Sequence, residues 1–110
     1  MNQILQEIIE KKASGIIPAI NYGEILYVMG KALTSSEFRN LKDDLKDSFN
    51  LKIELPGVED FEIAADYKLE GGVSYADCFL LVEAEKHKGL IVTKDKEFKK
   101  FEKRFNIQWI

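Results

Sequence analysis

Side chains for soft-metal binding, disulfides and nucleophile–base chemistry are almost missing from this sequence, which has one cysteine, Cys78, and one histidine, His87. A lone cysteine closes no internal disulfide, and nothing near it has zinc-ligand spacing. It reads as a small buried apolar residue in a reducing, cytoplasmic protein. His87 falls late in a predicted helix among lysines and reads as solvated. Long apolar stretches are also missing. Runs such as Phe79-Leu80-Leu81-Val82 are far too short to span a bilayer, and Gln6, Glu7 and Glu10 among the first isoleucines exclude a signal peptide. With only two prolines and seven glycines, no segment is of low complexity. Gly71-Gly72 has no Lys-Ser/Thr after it, so no phosphate-cradling loop is present.

What is there suits a folded domain. The chain is 45% apolar, with seven Phe, four Tyr and one Trp, enough for a core. Its net charge of −3 hides an asymmetry: Lys86 to Arg104 carries a balance of +5, and the remainder −8. A basic end on an acidic body can mean contact with a polyanion, but charge alone favours a merely solvated lysine-rich surface helix unless it lies beside an acidic site.

The hydrophobic pattern predicts a helix over Asn2–Ala13 (Ile4, Leu5, Ile8 and Ile9 on one face), a strand over Ile16–Ile20, and a helix from Asn21 to Leu33 with Ile25, Leu26, Met29 and Leu33 inward. Thr34-Ser35-Ser36-Glu37 has capping-box spacing and opens a helix that buries Phe38, Leu41, Leu45 and Phe49. Leu51–Leu55 alternates as a strand and stops at Pro56-Gly57. Helices over Glu59–Leu69 and Ser74–Lys88 follow, the second closed by Gly89 as its cap. A strand at Leu90–Thr93, a basic helix at Lys96–Phe105 and a strand at Ile107–Ile110 complete the chain. Strands separated by helices imply parallel crossovers, hence one α/β domain over residues 1–110 built as a three-layer sandwich on a mostly parallel sheet.

In such folds the reactive rim lies off the carboxyl ends of the strands. Three acids meet that description: Glu24 past the first strand, Asp77 in the first turn of the Ser74 helix, and Asp95 just past Leu90–Thr93. Taken singly, each is better read as a helix cap, since Asn21-Tyr22-Gly23-Glu24 and Ser74-Tyr75-Ala76-Asp77 have capping-box spacing and Asp95 can cap the last helix. Three carboxylates at one rim repel unless a cation lies among them. Oxygen ligands without His or Cys select Mg²⁺ or Mn²⁺.

These same segments resemble a known family. Asn21-Tyr22-Gly23-Glu24-Ile25-Leu26-Tyr27-Val28, Val73-Ser74-Tyr75-Ala76-Asp77-Cys78-Phe79 and Leu90-Ile91-Val92-Thr93-Lys94-Asp95-Lys96-Glu97-Phe98 are similar to the second, third and fourth acidic motifs of PIN domains, with VapC-toxin ribonucleases nearest in character. The resemblance implies a parallel sheet with helices on both faces and metal-dependent hydrolysis of RNA phosphodiesters. It makes Glu24, Asp77 and Asp95 catalytic residues and Mg²⁺ or Mn²⁺ ligands, with Thr93 and Asn21 supporting. Lys94, Lys96, Lys99 and Lys100 become weak RNA contacts. RNA, a VapB-like antitoxin and a second copy in a homodimer are the implied partners, without a membrane. The departure is at the start. Such domains open with a strand ending in aspartate and then a helix, whereas here no aspartate precedes Asp43. The resemblance therefore implies weakened cleavage or, alternatively, a catalytically inactive assembly or RNA-binding module.

Overall fold

The computed structural model describes residues 15–47 and 50–110, so the expected helix Asn2–Ala13 and the inward Phe49 lie outside the described residues. The chain divides into two compact units at the Leu55–Pro56 junction.

The first unit holds β1 (Gly15–Pro18), α1 (Ala19–Gly30), α2 (Ser35–Asp47) and β2 (Leu51–Glu54). β1 and β2 pair in parallel, Gly15 opposite Leu51 and Pro18 opposite Glu54. β1 ends earlier than its apolar run suggests, for a backbone reason. Pro18 has no N–H for a ladder and holds φ −62°, ψ 143°, and the helix begins directly after it. Asn21 is thus inside the first turn and not at its cap, and Glu24 moves into the second turn. The Thr34 box forms as read: the Glu37 N–H donates to Thr34 Oγ1 at 3.2 Å and the Thr34 N–H to Glu37 Oε1 at 2.9 Å. Those bonds hold the Glu37 carboxyl below its ordinary range.

The facing of α1 departs from expectation. Ile25 and Met29 are 39% and 47% exposed, and Tyr27 and Val28 more so. From Ile25 to Met29 the helix is apolar at every position, so no polar face marks which side turns inward.

The second unit holds α3 (Val58–Glu70), α4 (Tyr75–His87), β3 (Ile91–Thr93), a 3₁₀ helix (Lys96–Phe101) and β4 (Ile107–Trp109). β3 and β4 pair in parallel, Ile91 opposite Ile107 and Thr93 opposite Trp109. Parallel strands linked through helices make the fold α/β, as expected. This unit holds the buried hydrophobic side chains Ala64, Tyr67, Val73, Cys78, Phe79, Leu81, Val82, Ala84, Ile91, Phe98 and Phe101, whereas in the first unit Pro18 is fully buried. The Phe79 ring takes Phe61 and Tyr75 edge-on at 4.9 and 5.4 Å, and Tyr67 meets Phe101 and Phe105 edge-on, each at 5.9 Å. The basic segment is not the α-helix through Phe105 that its spacing suggests. Phe98 and Phe101, three residues apart, are both buried, which a three-residue turn satisfies.

The end of α4 also differs from expectation. The left-handed residue is Lys88 (φ 51°, ψ 43°), and the Gly89 N–H reaches back to the Ala84 carbonyl at 2.9 Å. A lysine in that conformation carries a Cβ clash that glycine avoids. Lys88→Gly should therefore stabilise the protein by about 1 kcal/mol. Urea unfolding measures it, and an unchanged or lowered midpoint would refute the strain at this cap.

His87 is not simply solvated. Its Nε2 lies 3.2 Å from Oε2 of buried Glu83, whose other oxygen is 3.6 Å from Lys86 Nζ. Lys86 also reaches Asp60 at 3.2 Å. Asp60 accepts the Gly57 N–H at 2.9 Å, and chiefly for that reason its carboxyl stays below the ordinary range.

Candidate active site

In the first unit Asn21 and Glu24 lie three residues apart on α1, and so on one side of the helix. Asn21 is buried and Glu24 exposed. No side chain caps α1, so the reading of these two residues as a capping box does not hold.

In the second unit two turns carry the remaining acids. Ser74 (φ −65°, ψ 160°) caps α4, its hydroxyl accepting the Asp77 N–H at 3.2 Å and its carbonyl the Cys78 N–H at 3.1 Å. Asp77 is thereby fixed in the first turn, half-buried. Cys78 beside it is fully buried, and desolvation raises its thiol pKa, as the sequence reading of an inert apolar cysteine requires.

The second turn is tighter. As β3 ends, Thr93 Oγ1 accepts the Asp95 N–H at 3.0 Å, and Asp95 Oδ1 accepts the Glu97 N–H at 2.9 Å. Asp95 thus caps the 3₁₀ helix, yet needs only one carboxylate oxygen to do so. Thr93 acts on the backbone of Asp95: it sets where that aspartate sits.

A model of the PIN domain family matches residues 2–104. The chain belongs to the PIN domain family. No curated protein matches it. The match runs through both units and contains all three acidic segments. PIN domains are nucleases that act on RNA and use divalent metal ions. Within the second unit Asp77 and Asp95 offer only oxygen donors, the kind such an ion takes, and Asp95 keeps one oxygen outside its capping bond.

The basic residues flanking Asp95 in this PIN domain, Lys94, Lys96, Lys99 and Lys100, are all exposed. Lys100 is engaged: its ammonium donates to the Glu70 carbonyl. Arg104 reaches the Glu70 carboxylate at 2.8 Å and lies 5.6 Å over both the Tyr67 and Phe101 rings. Sequence reasoning did not find these ties, nor the 2.5 Å bond from the Tyr67 hydroxyl to Glu85. No local spacing signals partners 18 to 34 residues apart. A cavity of about 400 Å³, lined in part by Tyr67, Glu85, Lys88 and Arg104, lies at the carboxyl end of α4, away from Asp77 at its amino end.

Proposed function

We propose that this chain is a metal-dependent endoribonuclease of the VapC-toxin type, one domain over residues 1–110, with Glu24, Asp77 and Asp95 as catalytic metal ligands. The observation that carries this is the Thr93–Asp95–Glu97 turn, which presents a carboxylate at the carboxyl end of a parallel strand within a PIN-matched segment. A bound Mg²⁺ or Mn²⁺ would supply a hydroxide-like water and offset charge on the phosphodiester. The protein's own part is positional. Ser74 and Thr93 set the two aspartates through the backbone, Asn21 supports Glu24, and exposed Lys94, Lys96 and Lys99 draw the RNA backbone to that rim.

One sequence observation favours a second reading. No aspartate precedes Asp43, so these 110 residues supply three of the four acids that the resemblance calls for. Slow cleavage is expected on the first reading; RNA binding without cleavage identifies an inactive assembly or RNA-binding module. The deciding experiment incubates the protein with a fluorogenic single-stranded RNA, with Mn²⁺ and with EDTA. Turnover stimulated by Mn²⁺ and stopped by chelation is the expected result. Binding without turnover selects the second reading, and the absence of both rejects the proposal.

The reading extends to a cytoplasmic protein that pairs with a VapB-like antitoxin and with a second copy of itself. The exposed Tyr27, Val28 and Met29 of α1 support an apolar contact of that kind. Among the described residues no helix is long and apolar enough to cross a membrane. A monomer in sedimentation at micromolar concentration would remove the homodimer.

A further inference from the structure

The pair Gly71-Gly72, which has no phosphate-loop context in the sequence, has a definite place in the structure. Both residues take left-handed φ, +81° and +107°, in the connection from α3 to α4. The aliphatic stem of Lys100 lies against them. A Cβ on Gly72 would fall 2.9 Å from Lys100 Cδ and 3.6 Å from its Cβ, and one on Gly71 would fall 3.7 Å from its ammonium. That ammonium donates to the Glu70 carbonyl just before the pair. Lys68 Nζ donates to the Val73 carbonyl just after it, at 3.1 Å, and Arg104 holds the Glu70 carboxylate at 2.8 Å. Lysine and arginine at the end of α3 also complement the negative pole of that helix.

Lys100 belongs to the 3₁₀ helix that Asp95 caps, and the connection it grips runs through buried Val73 to Ser74, the cap that fixes Asp77. We infer that Lys100 is a positioning residue of the acidic site: it pins the turn leading to Asp77 onto the helix that follows Asp95, and so holds the two aspartate-bearing turns in one arrangement. This rests on the nuclease reading above. Lys100 is exposed like Lys94, Lys96 and Lys99, but its ammonium is bonded to the Glu70 carbonyl, which gives it a different task. Outer residues that orient metal ligands are typically worth about 10- to 100-fold in affinity or rate.

The test compares Lys100→Met, which keeps the stem and removes the donors, with Lys100→Arg, which restores donors, and with Lys103→Met as an exposed control. Amide exchange at Gly71, Asp77 and Cys78, whose N–H groups donate to the Lys68 carbonyl, the Ser74 hydroxyl and the Ser74 carbonyl, should speed up about tenfold in Lys100→Met while Ile91, bonded to the Asn106 carbonyl, stays protected. Mn²⁺ affinity and kcat should each fall about tenfold with KM unchanged, Lys100→Arg should recover most of both, and Lys103→Met should alter nothing. Two results would overturn the inference. Unchanged exchange in the turn would show that no clamp exists, and a raised KM with intact kcat would make Lys100 an RNA contact. Wild-type protein inert toward both Mn²⁺ and RNA would instead sink the nuclease reading, and amide exchange would still report whether the turn is clamped.

Discussion

Phe101→Ala should cost the protein about 3–5 kcal/mol, the usual range for deleting a fully buried phenylalanine. The ring has no exposed surface, meets Tyr67 edge-on at 5.9 Å and Phe105 at 6.2 Å, and is covered by the Arg104 guanidinium. The loss is a large part of the roughly 5–15 kcal/mol that stabilises an ordinary domain. Urea unfolding at constant slope measures it, with Leu69→Ala as the comparison. Leu69 is 87% exposed and should change stability by no more than about 0.5 kcal/mol. A Phe101→Ala cost below about 1 kcal/mol would mean that the basic segment does not belong to the core.

Asp95→Asn separates a cap from a metal ligand. Asparagine caps as well as aspartate and can accept the same Glu97 N–H, so stability should stay within about 0.5 kcal/mol. What it removes is the negative charge. If Asp95 holds the cation, RNA cleavage should fall on the order of 100-fold or more, as when one well-placed electrostatic contact is lost from an active site. Unchanged cleavage at unchanged stability would reduce Asp95 to a cap. Reduced cleavage together with a large loss of stability would leave the roles mixed, and thermal unfolding of the same sample distinguishes that case.

Features that depend on neighbours within a few residues were legible in the sequence. The Thr34 box, the Ser74 cap, buried Cys78 and the parallel α/β class follow from spacings of a turn or less, and from strands alternating with helices. Boundaries failed where one residue overrides a pattern. Pro18 ends β1 despite the apolar Ile20 beyond it, and this moves Glu24 away from the helix start. Faces failed where the pattern is degenerate, as between Ile25 and Met29. The ties of Lys100 and Arg104 to Glu70 were illegible for another reason. Lys100 and Arg104 find Glu70 across 30 and 34 residues, and a lysine that grips a carbonyl has the same local sequence as one that faces water.

The register of β3 and β4 gives this protein a built-in optical probe. Its single tryptophan, Trp109, lies opposite Thr93 in the ladder, and the next residue, Ile110, donates its N–H to the Thr93 carbonyl at 3.1 Å. Paired strands run about 4.8 Å apart, so the indole is one strand away from the threonine that seats Asp95. Fluorescence from that one half-buried ring should therefore sense the seat of Asp95 directly. Quenching by paramagnetic Mn²⁺, set against diamagnetic Mg²⁺, would read occupancy at this rim without label, substrate or mutation.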